Sequence, residues 1–479
     1  VSDSVGIVSA AGYVPRYRLA RKLIGEVHGQ QHAPGERSVA AHDEDSLTQA
    51  WEAAWAALPA LGTARPAALL FASSSPPLLG REAAPTLALT LDLPEAIFAA
   101  DIGGGSRAGT AALRIGLDVV GAGGRPVLIA AGERRPAAPG SALEQLVGDA
   151  GGACLLSSGE GTIAVVEAAH AVARDVLDVW QRPGEAFPRR ADAPFLVQEA
   201  FVPAVVATVQ GLLEASGRRL DEVAQLLIAG PDQRACERAA SALKASREQL
   251  GETAQGSVGD AGAAAPLLQL ALALERAEPG QRLALVGAGG GSADAFLLRV
   301  TDRIREGRPR PSASGWMARG KRLATYEKFL KLRGLLGGEP LSAFTSPAIA
   351  WREQARLLRL RAARCRRCGE RAFPPQRACP ACGAKDDFDQ VSMARAGRIV
   401  TYAKEHLFPS PDPPTVMAVA ELEDGLRFYG QVADPEPGGE LMGAPVELAL
   451  RCLHEGGGYP NYFWKLRLRD DGGAGRGGA

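Results

Sequence analysis

The chain has 479 residues, 46% of them hydrophobic and 23% charged, an ordinary composition for a globular protein with a large core, and at about 150 residues per domain it has room for roughly three. Lys plus Arg and Asp plus Glu both number 54, so no net field recruits a polyanion or an anionic membrane, and neither nucleic acid nor lipid is an expected partner. No basic start followed by a long apolar run opens the sequence, and the longest apolar stretches fall short of the ~20 residues of a spanning helix, so a cytoplasmic protein is expected.

Apolar runs and helix-spaced segments alternate through about residue 300. The first round reads as strands over 5–9, 68–72, 97–100, 126–131 and 153–156, with helices over 46–58, 84–91 and 107–120. The second reads as strands over 161–167, 225–228 and 282–286, with helices over 203–215, 233–243 and 263–276. Such alternation implies an α/β fold, with parallel or mixed sheets covered by helices. Each round carries an acid-and-glycine turn, Gly148-Asp149-Ala150-Gly151-Gly152 and Gly259-Asp260-Ala261-Gly262-Ala263. The body therefore reads as two loosely similar halves, 1–160 and 161–306.

Residues 307–361 read as a linker followed by helices over 322–336 and 348–361, the latter placing Arg352, Arg356 and Arg359 on one face. A cysteine cluster occupies 362–392, and 393–469 switches to short strands over 399–403, 415–422, 426–432, 445–452 and 462–468. Five short strands separated by Pro, Gly and Asp turns fit a small barrel of the OB type. The Gly-rich tail, 470–479, is expected to be disordered.

The cluster reads Cys365-x-x-Cys368-Gly, nine residues, then Cys379-x-x-Cys382-Gly. Two such knuckles suit tetrahedral thiolate coordination of zinc, and four filled positions make the site structural rather than catalytic. Gly369 and Gly383 let the backbone turn under the metal, and Arg366, Arg367 and Arg371 can offset the thiolate charge. The competing readings are a redox pair and a rubredoxin-type iron. Four of seven cysteines in one cluster also argue for a reducing compartment. A ribbon beside a barrel with Tyr402, Phe428, Tyr429, Tyr462, Phe463 and Trp464 invites a nucleic-acid reading, but neutral charge opposes it and such aromatics are more often barrel core.

Several stretches together resemble a known superfamily. They are Val5-Gly-Ile-Val-Ser-Ala-Ala-Gly-Tyr-Val-Pro, Asp43-Glu-Asp-Ser-Leu-Thr, Ala108-Gly-Thr-Ala-Ala-Leu, Gly148-Asp-Ala-Gly-Gly-Ala, Gly259-Asp-Ala-Gly-Ala-Ala and the glycine run 287–292. In order and spacing they resemble the hydroxymethylglutaryl-CoA synthase branch of the thiolase superfamily. The cysteine knuckles, Phe373-Pro-Pro-Gln and Asn461-Tyr-Phe-Trp-Lys resemble the zinc-ribbon/OB domain that accompanies thiolase-like proteins as a subunit or a fusion. The resemblance implies a five-layer αβαβα body of two similar halves, a homodimer, acyl-CoA ligands and Claisen- or aldol-type chemistry. It also implies a barrel contributing to the acyl-CoA entrance, and a thiolase or hydratase as a possible partner protein.

The family's catalytic groups are a cysteine at a helix N-terminus, a glutamate and a histidine. In the register of these motifs the cysteine position falls on Ser106, the glutamate on Ser74 and the histidine on Ala229, while a downstream asparagine position falls on Asp260. A serine hydroxyl needs an adjacent base to act as a nucleophile, and Ser106 also suits a helix N-cap. Cys154 and Cys236 read as core residues. A retro-aldol step on a 3-hydroxyacyl-CoA needs no acyl-enzyme, only a base and donors for an enolate oxygen. Asp260, Tyr326 or Tyr13 is the expected base. The turns containing Gly104 and Gly105, and Gly289, Gly290 and Gly291, are the expected substrate-binding donors. Two functions follow: an enzyme making or breaking carbon–carbon bonds on a CoA thioester without the nucleophilic cysteine, or a catalytically silent acyl-CoA-binding or partner-stabilising protein of the same fold.

Overall fold

The apolar opening run becomes β1 (Val5–Tyr13), which continues past the expected end because Ala10, Ala11 and Tyr13 are buried with the rest. The computed structural model describes residues 5–159, 161–251, 253–306, 308, 311–336, 345–407, 410–435 and 438–469. The chain divides into two units, Val1–Leu330 and Lys331–Ala479. Residues 311–330, expected as linker and helix, thus belong to the first unit, where Ala313–Ala318 is helical with Trp316 buried. The tail and three of the expected linker residues lie outside the described residues.

In the first half of the body, α1 (Ser46–Ala57) begins at Asp45, whose side chain accepts from the Thr48 N–H at 2.9 Å while Thr48 Oγ1 accepts from the Asp45 N–H at 2.8 Å. The Asp-Glu-Asp-Ser-Leu-Thr motif is thus a capping box. β2 (Ala68–Ala72), β3 (Phe98–Ile102), α2 (Ala108–Gly123), β4 (Val127–Glu133) and β5 (Ala150–Ser158) follow. The second half supplies β6 (Ala164–Val172), α3 (Val202–Ser216), β7 (Gln225–Ala229), α4 (Gln233–Ala242), α5 (Ala265–Leu274), β8 (Arg282–Gly289) and β9 (Ser292–Val300). β9 was not anticipated, because Ser292 and Asp294 break the apolar pattern at its start.

The strand order exposes the duplication that sequence identity hid. The first half runs β1-β5-β4-β2-β3 and the second β6-β9-β8-β7, the same order without the final edge strand. In each, the first two pairings are antiparallel and those that follow are parallel. The halves join through two residue pairs, Gly6 with Val165 and Ile7 with Ala164. α1 covers the outer face of the first sheet, and α3 covers β6, β8 and β9, with α4 beside it on β7. α2 and α5 each touch strands of both sheets. They form a shared middle layer, which gives the αβαβα stack.

Close helix approach to the sheets explains the abundant small residues. A Cβ on Gly109 of α2 would sit 2.0 Å from the Ala263 carbonyl oxygen, and one on Gly132 of β4 would sit 1.8 Å from that of Ser46. Backbones this near exclude any side chain. One helical run, Ala193–Ser216, is long and apolar enough to cross a membrane by composition, but half of it is buried inside the body.

In the second unit, the helix expected over 348–361 breaks at Glu353 into Pro347–Arg352 and Gln354–Leu357. Arg352 and Arg356 both pair with Glu353, and Arg359 lies beyond the second helix, so no three-arginine face forms. A small sheet follows from β10 (Arg361–Cys365), β11 (Arg371–Ala372) and β12 (Phe388–Ser392). Then β13 (Ala396–Glu405), β14 (Thr415–Leu422), β15 (Arg427–Ala433), β16 (Pro445–Gly456) and β17 (Tyr459–Leu468) close into a barrel. Its order is β13-β14-β15-β17-β16, with β15 and β17 parallel. This is the expected small five-stranded barrel. Phe428 and Trp464 are core, whereas Tyr429 is exposed and Tyr402 donates to Glu440.

Candidate active site and zinc ribbon

β2, β3 and β4 are mutually parallel, as are β7 and β8. Their C-terminal ends carry Ser73–Ser75, Gly103–Ser106, Glu133, Ala229 and Gly287–Gly289, which is where α/β sheets bind ligands. The two sets of ends meet. Ser106 Oγ donates to the Ala288 carbonyl at 3.4 Å, a Cβ on Gly289 would stand 2.6 Å from Ser106 Oγ, and one on Gly287 would touch Thr110. Ala229 pairs with Gly287 on the neighbouring strand.

Ser106 does not cap α2. The N-cap position is Arg107, without a side-chain cap bond. Arg107 instead reaches both oxygens of Asp294 at 2.9 Å, and Thr110 Oγ1 donates to the same carboxylate at 2.9 Å. Asp294 is buried, and these partners account for a charge inside β9. Gly104 and Gly105 have φ of 99° and 156°, backbone conformations that favour glycine and leave the chain bare beside Ser106.

Asp260 is committed elsewhere. Its Oδ2 accepts from Arg135, and its Oδ1 accepts from the Gly262 N–H at 2.9 Å. Its peptide pairs with the other acid-and-glycine turn, through Gly148 N–H to Asp260 O at 2.9 Å and Asp260 N–H to Leu146 O at 2.8 Å. Asp149 of that first turn is fully buried and accepts from the N–H groups of Ala40 and Arg135 at 2.7 and 3.0 Å. Each of the expected bases is therefore partnered. Asp260 neutralises Arg135, Tyr13 donates to Glu44, and Tyr326 donates to both oxygens of Glu144 at 2.9 and 3.0 Å. Burial, with the Glu144 carboxylate beside it, pushes the Tyr326 phenol well above its ordinary value. Of the second glycine turn, Gly290 has given its N–H to Asp178 at 2.6 Å, and Gly291 packs against Val176.

Sequence reasoning missed Glu133. It closes β4 and is completely buried. Oε1 accepts from Ser74 N–H at 2.8 Å, Ser74 Oγ at 2.7 Å and Ala263 N–H at 2.9 Å, while Ser75 Oγ donates to Oε2. Burial pushes this carboxyl above its ordinary value, against the pull of Arg135 and of the hydrogen bonds from Ser75, Ser74 and Ala263. A lone acid at the end of an apolar parallel strand was the available signal. Ser74 is thus placed at the site with a carboxylate behind it.

Cys154 on β5 and Cys236 on α4 are buried, and burial pushes the Cys236 thiol up to about 12. Among the described residues, no hydrogen bond of Ser74, Ser106, Glu133 or Asp260 reaches a histidine.

In the second unit the four ribbon sulfurs lie within 4.8 Å of one another. Cys365 and Cys382 are 3.7 Å apart, and Cys368 and Cys379 are 3.5 Å apart, whereas four sulfurs ~2.3 Å from a tetrahedral ion stand ~3.8 Å apart. Gly369 and Gly383, at φ of 81° and 70°, turn each knuckle, and their N–H groups donate to the carbonyls of Cys365 and Cys379. The residues fit a structural zinc ion. Arg366 and Arg371, expected to offset the thiolates, pair instead with Asp389 and Asp424.

This fold and site define a thiolase-like protein. The body resembles the solved structure of MvaS in complex with 3-hydroxy-3-methylglutaryl coenzyme A, with a TM-score of 0.62 and 19% identity over 72% of this chain and 96% of that one. It also resembles 3-oxoacyl-(acyl carrier protein) synthase III, FabH, from Pseudomonas aeruginosa PAO1, with a TM-score of 0.58 and 21% identity over 62% and 99%. Residues 352–388 match the family described as the ChsH2, rubredoxin-like zinc ribbon domain. The hydroxymethylglutaryl-CoA synthase of Archaeoglobus fulgidus is 32% identical over 341 residues, covering 69% of this chain and 98% of the relative. The chain belongs to the hydroxymethylglutaryl-CoA synthase family, here carrying a C-terminal zinc ribbon and barrel.

Proposed function

We propose that the protein binds an acyl-CoA and makes or breaks a carbon–carbon bond on it by aldol chemistry, without an acyl-enzyme. The observation that carries this reading is Ser74 held against buried Glu133 in a site whose other elements join the two halves. Family membership supports the CoA-thioester substrate class. A nucleophilic role for Ser106 needs a base, and among the described residues its one hydrogen bond goes to a carbonyl. Ser106 instead turns its hydroxyl from the Ala288 carbonyl, beside the bare backbone of Gly104 and Gly105, to the thioester oxygen as negative charge develops there. Zinc holds the ribbon and takes no part in the reaction. A cytoplasmic homodimer through the body, with a hydratase or a second thiolase-like protein as partner, fits this role.

The alternative is a silent acyl-CoA-binding or partner-stabilising protein. The pairing of Asp260 with Arg135 favours it, since that carboxylate is withdrawn from the chemistry. Titrating the full chain with acetyl-CoA and 3-hydroxy-3-methylglutaryl-CoA, then following turnover, separates the two. Binding with turnover supports the enzyme, binding alone supports the silent protein, and no binding sinks both.

A further inference from the structure

Three serines surround Glu133, and their bonding differs. Ser73 Oγ donates to Gly132 O at 2.8 Å and accepts from the Ser75 N–H at 3.0 Å. Ser75 Oγ donates to Glu133 and accepts from the Arg134 N–H at 3.0 Å. Ser74 Oγ donates to Glu133 Oε1 at 2.7 Å and makes no other hydrogen bond among the described residues. A hydroxyl donates one hydrogen bond and has lone pairs to accept others. Ser74 is half-buried whereas Glu133 has no exposed surface, so of the two only Ser74 can touch a ligand.

We propose that Ser74 and Glu133 form a proton relay, in which Ser74 contacts the substrate and Glu133 holds the proton behind it. This rests on the acyl-CoA reading above. In the cleavage direction the C3 hydroxyl of a 3-hydroxyacyl-CoA gives its proton to Ser74 Oγ as the serine proton passes to Glu133 Oε1. The C3–O bond becomes a carbonyl, the C2–C3 bond breaks, and its electron pair moves into the thioester enolate. The proton on Glu133 then returns through Ser74 to C2. An aldehyde or ketone and a shortened acyl-CoA leave, with the protein unchanged and no oxidant or reductant consumed. Condensation runs the same steps in reverse. Ser74 is the catalytic residue, and Glu133 acts through it.

The surroundings suit a group that must both take and give a proton. Desolvation raises the proton affinity of the buried carboxyl, which brings it nearer to neutral pH than an exposed glutamate. Arg135 opposes that rise but is itself paired with Asp260. Arg135 in turn feels Asp178, and Arg190 feels Asp260 and Arg135. The remaining groups packed on Glu133 are Ser73, Ser75, the backbone N–H groups of Ser74 and Ala263, and Gly262, whose Cβ would stand 2.7 Å from Oε1.

Deuterium exchange at C2 of acetyl-CoA, catalysed by the full chain in D₂O, reads the relay without knowledge of the natural acyl chain. The wild-type chain exchanges. Glu133→Gln and Ser74→Ala lower the rate by about 10²- to 10⁴-fold, the usual worth of general acid–base catalysis, while calorimetric affinity for acetyl-CoA stays the same. Placing a carboxylate at the serine, as Ser74→Glu in the Glu133→Gln chain, restores exchange and moves its pH limb toward the range of an exposed carboxylate. A purely structural Glu133 gives neither the rescue nor the moved limb. Equal rates in wild type and both single variants overturn the relay and leave the acyl-CoA reading standing. So does a loss of folding that the rescue variant fails to reverse. A wild-type chain that binds acetyl-CoA without exchange overturns the relay and favours the silent protein, and one that does not bind overturns both.

Discussion

The middle layer gives one substitution opposite signs at two points of the same helix. Gly109 and Gly121 both lie in α2 (Ala108–Gly123). Changing an interior helical glycine to alanine is worth about 1 kcal/mol in favour of the helix. At Gly121 a new Cβ meets nothing within 4 Å, so Gly121→Ala should stabilise by up to about that amount. At Gly109 the new Cβ lies 2.0 Å from Ala263 O and 3.1 Å from its carbonyl carbon. Those are backbone atoms just before α5, and they must retreat by about 1 Å before the contact becomes tolerable. Overpacking of this kind costs about 1–3 kcal/mol, so Gly109→Ala should destabilise by up to about 2 kcal/mol net. The displacement also pulls the Ala263 N–H away from Glu133 Oε1, a bond of 2.9 Å, so activity should fall with stability. Urea unfolding midpoints for both variants test this. Stabilisation by Gly109→Ala comparable to that at Gly121 would refute the close approach of α2 to the turn before α5 on which the middle layer depends.

Other outcomes follow from the same contacts. Arg107→Ala leaves buried Asp294 with Thr110 as its one remaining side-chain partner among the described residues and should cost about 1–3 kcal/mol in chemical denaturation. The raised Glu133 pKa makes the folded protein bind this proton more tightly than the unfolded chain, whose glutamate titrates near about 4.3. Stability from this group is therefore full below that pH and is lost as pH rises through the folded value. Glu133→Gln should gain stability relative to wild type over that rise, as thermal scans at several pH values would record. One zinc ion per chain is expected by elemental analysis, and Cys379→Ser should lose it along with hydrogen-exchange protection of β10 to β12. Maleimide should leave Cys154 and Cys236 unlabelled at neutral pH until the chain is unfolded, because both thiols are buried.

Much of the architecture was legible because it rests on local periodicity. The parallel strands are mostly apolar runs, and the capping box at Asp45 and the knuckle glycines at Gly369 and Gly383 carry their geometry in residue type. The helix expected over 348–361 breaks at Glu353, a point that periodicity does not mark. β9 was missed because its buried Asp294 is paid for by Arg107 and Thr110, nearly two hundred positions earlier in the chain. The site was harder for the same reason. Asp260 looked available until Arg135 was found on it, and Gly290 until Asp178 took its N–H. Glu133 lay beyond the strand expected over 126–131, and only the structure brings three serines and Ala263 around it. Partnerships across more than fifty residues decide which groups are free to react, and a linear pattern does not record them.

The account turns on carbon–carbon chemistry at a CoA thioester with no covalent acyl-enzyme. Intact-mass spectrometry of the full chain, quenched during turnover of 3-hydroxy-3-methylglutaryl-CoA, addresses it most directly. The account predicts a carbonyl product and a shorter acyl-CoA in the supernatant while the protein mass stays that of the unmodified chain. An acyl adduct on Ser106, or bound thioester recovered intact, would contradict it.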